Sequence, residues 1–195
     1  MPNRITITLL TLLFMGGCAG TTASSRAELK DGWWHRAVGE GDRKLIVSYR
    51  AGDVAGGWSV NRDHSADFSF YNARLGATIY GDTSCGKRYE DAPLTVLINH
   101  QVMGFQGVQT VSQTAQDLSA RGALERIATG ELDGVPVSLG LTVIRKGPCV
   151  FDMVLISPPA DFEAGLVDYR AFVAGFEARV SRESDLRKAR PRSGS

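Results

Sequence analysis

Three groups of residues have the types that chemistry requires. The first is Gly81-Asp82-Thr83-Ser84-Cys85-Gly86-Lys87-Arg88. Its spacing is that of a phosphate-binding loop, in which backbone N–H groups cradle phosphate and the lysine reaches the outer phosphates. Such a loop needs Ser or Thr after the lysine to hold Mg²⁺, and Arg88 stands there. It also needs a helix to start at once, whereas the helical pattern resumes only near Asp91. The stretch Gly81–Asp91 is therefore read as a polar loop, and nucleotide is not an expected partner. The second group is His35, His64 and His100. They form no H-x-x-x-H, and no C-x-x-C exists to join them, so neither a metal nor another cofactor is expected. The third is Asp152, inside an apolar strand, where a carboxylate must be paired or protonated. A nearby Lys or Arg is the expected partner. No G-x-S-x-G nucleophile turn occurs, and Ser84 and Asp82 have no paired base nearby in sequence. No catalytic residue is assigned, and an enzyme is not expected.

Thiols are the remaining reactive groups. Cys18 closes an N-terminal stretch built from basic Arg4, the apolar run Ile5–Phe14, and Met15-Gly16-Gly17. A charged head, a short apolar core and small residues at the cut are the parts of a secretory leader. The run is too short for a mature spanning anchor, which takes roughly 20 apolar residues. Met15-Gly16-Gly17-Cys18 resembles the lipobox of bacterial lipoproteins, with Met15 where Leu is usual. That resemblance implies diacylglyceryl transfer to Cys18, cleavage after residue 17, and an acylated Cys18 held in the lipid bilayer. Each buried CH₂ contributes about 0.8 kcal/mol, so several acyl chains anchor stably. The implied location is the bacterial cell envelope, facing the periplasm. Ala19, not being Asp, favours the outer membrane by the enterobacterial sorting rule. Residues 18–30 are small and polar (Thr21, Thr22, Ser24, Ser25) and read as a tether.

With Cys18 acylated, Cys85 and Cys149 remain in an oxidising compartment. They either form a disulfide, closing a loop of about 64 residues, or persist as two separate buried thiols.

Charge narrows the partners. The chain of 195 residues carries 22 Lys and Arg against 21 Asp and Glu. The near-balance hides a basic tail: Arg179, Arg182, Arg187, Lys188, Arg190 and Arg192 face only Glu183 and Asp185. The body, Ala19–Ala178, is net acidic. Nucleic acid is gripped by clustered Lys and Arg, so it is not an expected partner. Residues 179–195 read as a disordered basic end able to touch anionic lipid.

The elements that position these groups follow from periodicity, over a single domain at residues 31–178. Leu45-Ile46-Val47 with Tyr49 is strand-like. Trp33, Trp34 and Trp58 are read as apolar cover for an edge. Ala66–Asn72 alternates, with Phe68 and Phe70 on one face, and returns after a turn as Ala77–Tyr80. Asp91 reads as the N-cap of a helix whose apolar residues are Leu94, Leu97, Ile98, Val102 and Phe105. Val108–Gly122 reads as polar loop with a fragment of regular structure. Leu124–Leu132, Val135–Arg145 and Cys149–Ser157 form a meander turned at Asp133-Gly134 and Lys146-Gly147-Pro148. Both faces of the third strand are apolar, which makes it central. Asp161 opens a last helix, with Phe162, Leu166, Tyr169, Val173, Phe176 and Val180 as its stripe.

The fold class is α+β, an antiparallel sheet covered by helices. The element order, with Ala92-Pro93-Leu94 opening one helix and Asp161-Phe162 and Phe172-Val173-Ala174-Gly175-Phe176 in the last, resembles the PsbP-like α/β/α sandwich. That family includes bacterial lipoproteins of the DcrB and LpqN kind. The resemblance spans Gly57–Ala178 and implies a binding role without a catalytic set. The expected function is a non-enzymatic accessory module for an envelope protein partner in transport or assembly. The alternative is a carrier or sensor of an apolar ligand such as lipid. An open cavity lined by Phe and Leu would mark the carrier, and a filled core the accessory module.

Overall fold

A computed structural model describes residues 27–39, 44–62, 65–118 and 122–182. In chain order these form β1 (Glu28–Lys30), β2 (Trp33–Val38), β3 (Leu45–Arg50), β4 (Trp58–Val60), β5 (Phe68–Asn72) and β6 (Ala77–Cys85). Two short helices follow, α1 (Lys87–Glu90) and α2 (Leu94–His100). The meander is β7 (Gln106–Asp117), β8 (Gly122–Leu132), β9 (Val135–Lys146) and β10 (Cys149–Ser157), and the chain closes with α3 (Phe162–Ala174) and β11 (Glu177–Arg182).

The strands build two antiparallel sheets. The larger runs β4-β5-β6-β10-β9-β8-β7 and the smaller β1-β2-β3-β11. Local chemistry sets the turns. Asp133 and Gly134 both adopt positive φ (52° and 79°), the backbone that matches the twist of a two-residue hairpin. Asn72 Oδ1 accepts from the N–H groups of Arg74 (3.1 Å) and Leu75 (3.2 Å) and so turns β5 into β6.

Strand β10 lies between β6 and β9 and is apolar on both faces, as its sequence requires. Phe151, Met153 and Leu155 face α3 and the smaller sheet, with Phe68, Tyr169, Phe172 and Phe176. Val150 and Val154 face α2, with Leu97, Ile98, Leu139 and Leu141. The seven-stranded sheet is thus covered by α2 on one side and by α3 with the four-stranded sheet on the other. The α+β class holds, and the second sheet is an addition to it.

Several expectations change. The loop Gly81–Asp91 is instead the end of β6 followed by α1. Asp91 does not cap α2: Pro93 holds that position, and the helix is seven residues long. Val102 and Phe105 lie beyond it yet still pack on its core. Val108–Gly122 is mostly the twelve-residue β7, because an edge strand can form without a buried face. The last helix stops at Ala174, where a Cβ on Gly175 would lie 2.4 Å from Gly52 Cα. The two backbones meet there, Gly52 N–H donating to Phe172 O (2.8 Å). Phe176 keeps its core place against Phe151, and β11 pairs with β3, carrying Ala178 and Val180 inward. Glu28–Lys30, expected in the tether, and Arg179–Arg182, expected in the tail, are therefore strand. Cys18, the expected leader at residues 1–17 and residues 183–195 lie outside the described residues.

Candidate functional site

Gly81 sits directly opposite Phe68 in the β5–β6 register. A Cβ on Gly81 would lie 2.2 Å from the Phe68 ring. The glycine admits a core aromatic ring. Gly81 to Cys85 belong to the β6 ladder with β10, so their backbone groups serve sheet pairing and form no phosphate cradle.

The same ladder carries the thiols. Cys85 and Cys149 are register partners at the end of β6 and β10, and they form a disulfide with an S–S distance of 2.06 Å. It ties the first hairpin to the last strand of the meander.

Three residues along the ladder, Asp152 faces Asp82. Both side chains lie on the α2 side, beside Tyr80. Asp152 Oδ1 accepts from Gln101 Nε2 (2.7 Å), which also donates to Thr142 O (3.1 Å). The partner is thus an amide from the end of α2, not the expected Lys or Arg. The Asp152 carboxyl is pushed up to about 6. Burial is the main cause, Gln101 opposes it, Asp82 adds to it and His100 offsets a little. Tyr80 rises to about 12 through burial and the fields of Asp82 and Asp152. Asp82 Oδ1 accepts from the Asp67 N–H (3.1 Å). Gln101 is the element that sequence reading missed. A polar residue just past a helix carries no periodic signal, and only the docking of α2 brings it to Asp152.

His35 and His100 do not converge. His35 Nδ1 lies 2.9 Å from Ser48 Oγ on the smaller sheet, His100 ends α2, and His64 is outside the described residues. Among the described residues no group of three or more His, Cys, Asp or Glu gathers as metal ligands. No helix among them is long and apolar enough to cross a membrane.

Two further polar clusters hold the layers together. Arg36 Nη1 donates to Asp67 Oδ1 and to Thr83 O, both at 2.9 Å, while Thr83 N–H donates to Asp67 Oδ2 (2.9 Å). This joins the smaller sheet to the larger one through an Asp67 that is 6% exposed. Buried Tyr49 stands nearby, its hydroxyl raised mainly by burial and then by Asp67. On the α3 side, Arg170 donates through Nη2 (2.7 Å) and Nε (3.3 Å) to the buried Glu125 carboxylate. The Tyr169 hydroxyl donates to Thr142 Oγ1 (2.8 Å) or Met153 O (2.9 Å) and is raised mainly by burial.

The tryptophans divide. Trp34, half-buried against the core, stacks on Tyr49 and meets Phe68 at a tilt, and Trp58 Nε1 donates to Asp168 Oδ2 (2.9 Å). The guanidinium groups of Arg50 (5.1 Å) and Arg179 (4.3 Å) both lie over the Trp33 ring. The surface also holds an open depression of about 380 Å³ lined by Ser59, Val60, Asn61, Tyr71 and Thr78.

No family model matches the chain, and no curated protein matches its sequence. Solved structures do resemble it. LpqN of Mycobacterium tuberculosis, described as involved in cell envelope biogenesis, is 12% identical, covers 75% of this chain and 90% of its own, and superposes with a TM-score of 0.52. A Pseudomonas aeruginosa protein of unknown function is 13% identical over 82% of this chain and 99% of its own, with a TM-score of 0.40. Cyanobacterial PsbP from Synechocystis is 9% identical over 85% of this chain and 99% of its own, with a TM-score of 0.48. At such identity the likeness to LpqN shows a shared α+β fold.

Proposed function

We propose that this chain is a lipid-anchored accessory module of the bacterial cell envelope, binding an envelope protein through its surface and performing no reaction of its own. The observation that carries the reading is the filled core. Phe68, Phe151, Leu155, Tyr169 and Phe172 occupy the space between the larger sheet and α3, none more than 6% exposed. A carrier of an apolar ligand needs that space open. The open depression lined by Ser59, Val60, Asn61, Tyr71 and Thr78 lies at the surface and does not enter that space. The fold shared with LpqN supports a place in the envelope. The lipobox-like Met15-Gly16-Gly17-Cys18 supports the anchor and the periplasmic orientation.

Two experiments test the reading separately. Fractionation of cells making Cys18→Ser should find the protein released from membranes; retention there would remove the lipid anchor. In-cell crosslinking of the wild-type protein, followed by mass spectrometry, should recover one dominant envelope protein. Recovery of stoichiometric lipid with no protein partner would overturn the accessory-module reading in favour of the carrier.

A further inference from the structure

A free sheet edge presents unpaired N–H and C=O groups, and proteins protect such edges with short strands, charges, Pro or bulges. The two sheets have four edges, β1, β11, β4 and β7. Strands β1 and β4 are three residues each, and β1 carries Glu28 and Lys30. Strand β11 carries Glu177, Arg179 and Arg182 within six residues. Strand β7 differs. It is twelve residues long, and Gln106 to Gln116 contains no Lys, Arg, Asp, Glu or Pro. Its register is irregular between Gln106 and Gln109 and between Thr110 and Ser112. From Ser112 to Asp117 it pairs residue by residue with β8.

This regular half is both accessible and held in place. Ten of the twelve residues are exposed, Val111 at 66%. Helix α2 packs on β8 and β9, and α3 on β6, β9 and β10, so neither obstructs the edge. Arg126 Nε donates to Gln113 Oε1 (2.8 Å), and Arg126 Nη1 to Asn99 Oδ1 (2.8 Å). The middle of β7 is thereby tied through Arg126 to α2.

Charge selects the occupant. In an antiparallel pair of identical strands about a two-fold axis, a charged residue near the centre meets its own kind, and like charges directly opposite are destabilising. The regular stretch Ser112–Gln116 carries no charge and avoids that conflict. We propose that β7 is the pairing edge for a second copy of this chain, antiparallel and centred on Thr114. This register sets Thr114 opposite its counterpart, Gln113 opposite Ala115 and Ser112 opposite Gln116. Each Asp117 then falls just beyond the regular pairs, at the irregular step between Thr110 and Ser112 of the other copy and far from the other Asp117. The larger sheet runs on into that of the second copy.

The test uses the full chain in mild detergent, by sedimentation analysis across a concentration series. The expected result is a reversible dimer. Thr114→Lys, at an exposed position, places two ammonium groups face to face and should raise the dimer dissociation constant at least tenfold, with no change in the unfolding transition measured at dilutions where both proteins are monomeric. Thr114→Cys should give a disulfide-linked dimer under mild oxidation, beyond any formed by the parent chain, whereas Gln116→Cys, which faces Ser112, should not. A parent chain that is monomeric at the highest concentration would overturn the proposal, whether or not β7 captures a foreign strand. So would a dimer whose dissociation constant is unmoved by Thr114→Lys.

Discussion

Asp152→Asn should make this protein more stable at neutral pH than the natural sequence. The folded state holds the Asp152 carboxyl at about 6, against a usual value of 3.8. The native state therefore binds this proton more tightly than the unfolded chain does. Between the two values the folded protein carries the extra proton, so stability falls as pH rises through the window. Below about pH 4 the group is protonated in both states and contributes no penalty. Above about pH 6 it is ionised in both states and the penalty is complete. A shift of roughly two units at 1.36 kcal/mol each sets it at up to about 3 kcal/mol. Asn keeps the shape, and its side-chain oxygen can still accept from Gln101 Nε2, so the substitution removes the charge and little else. Thermal unfolding of both proteins from pH 3 to pH 8 is the assay. Other carboxylates titrate in both proteins, so the difference in melting temperature isolates this one. At 2–4 °C per kcal/mol for a domain of this size, the gap should open from near zero at pH 4 to roughly 6–12 °C at pH 6 and stay level above. A gap independent of pH, or an Asn variant that melts lower at pH 7, would refute the reasoning.

Other predictions follow from the same contacts. Replacing Cys85 and Cys149 together with Ser should lower stability by about 4 kcal/mol, since the bridge closes a 64-residue loop in the unfolded chain; equal melting of the parent with and without reductant would show that the bridge does not form. Arg170→Ala should cost about 2 kcal/mol, discounted for the exposure of Arg170, because it leaves the buried Glu125 carboxylate unpaired; Glu125→Leu added to it should recover much of the loss in chemical denaturation. Truncation after Arg182 should leave the melting temperature unchanged, whereas truncation after Gly175 removes Phe176, Ala178 and Val180 from the core and should abolish cooperative unfolding seen by circular dichroism.

Patterning alone determines much of this protein. The alternation in Cys149–Ser157 places that strand at the centre with opposite faces in two cores, and the structure has it so. Asp133-Gly134 and Gly147 name the turns of the meander, because few residues adopt positive φ cheaply. Phe162, Leu166, Tyr169 and Val173 identify α3, because a helix covering a sheet must carry an apolar stripe. The lipobox resemblance of Met15-Gly16-Gly17-Cys18 rests on sequence alone, outside the described residues.

Tertiary structure decided the rest, and in each case the signal was one that local patterns do not carry. Strand β7 has no buried face, so its residues show no period and its strand character comes from pairing with β8. Strand β11 is written in residues that also continue the stripe of α3, and the meeting of Gly52 with Gly175 breaks the helix in its favour. Gly81 belongs to a phosphate-loop spacing by sequence and to the packing of Phe68 by structure. Asp152 was visibly anomalous in its strand, yet its partner stood 51 residues away in Gln101. Sequence could require that a buried carboxylate be satisfied, because desolvation is general. Which group satisfies it depends on where α2 docks, and that is settled only when the two faces of the sheet are filled.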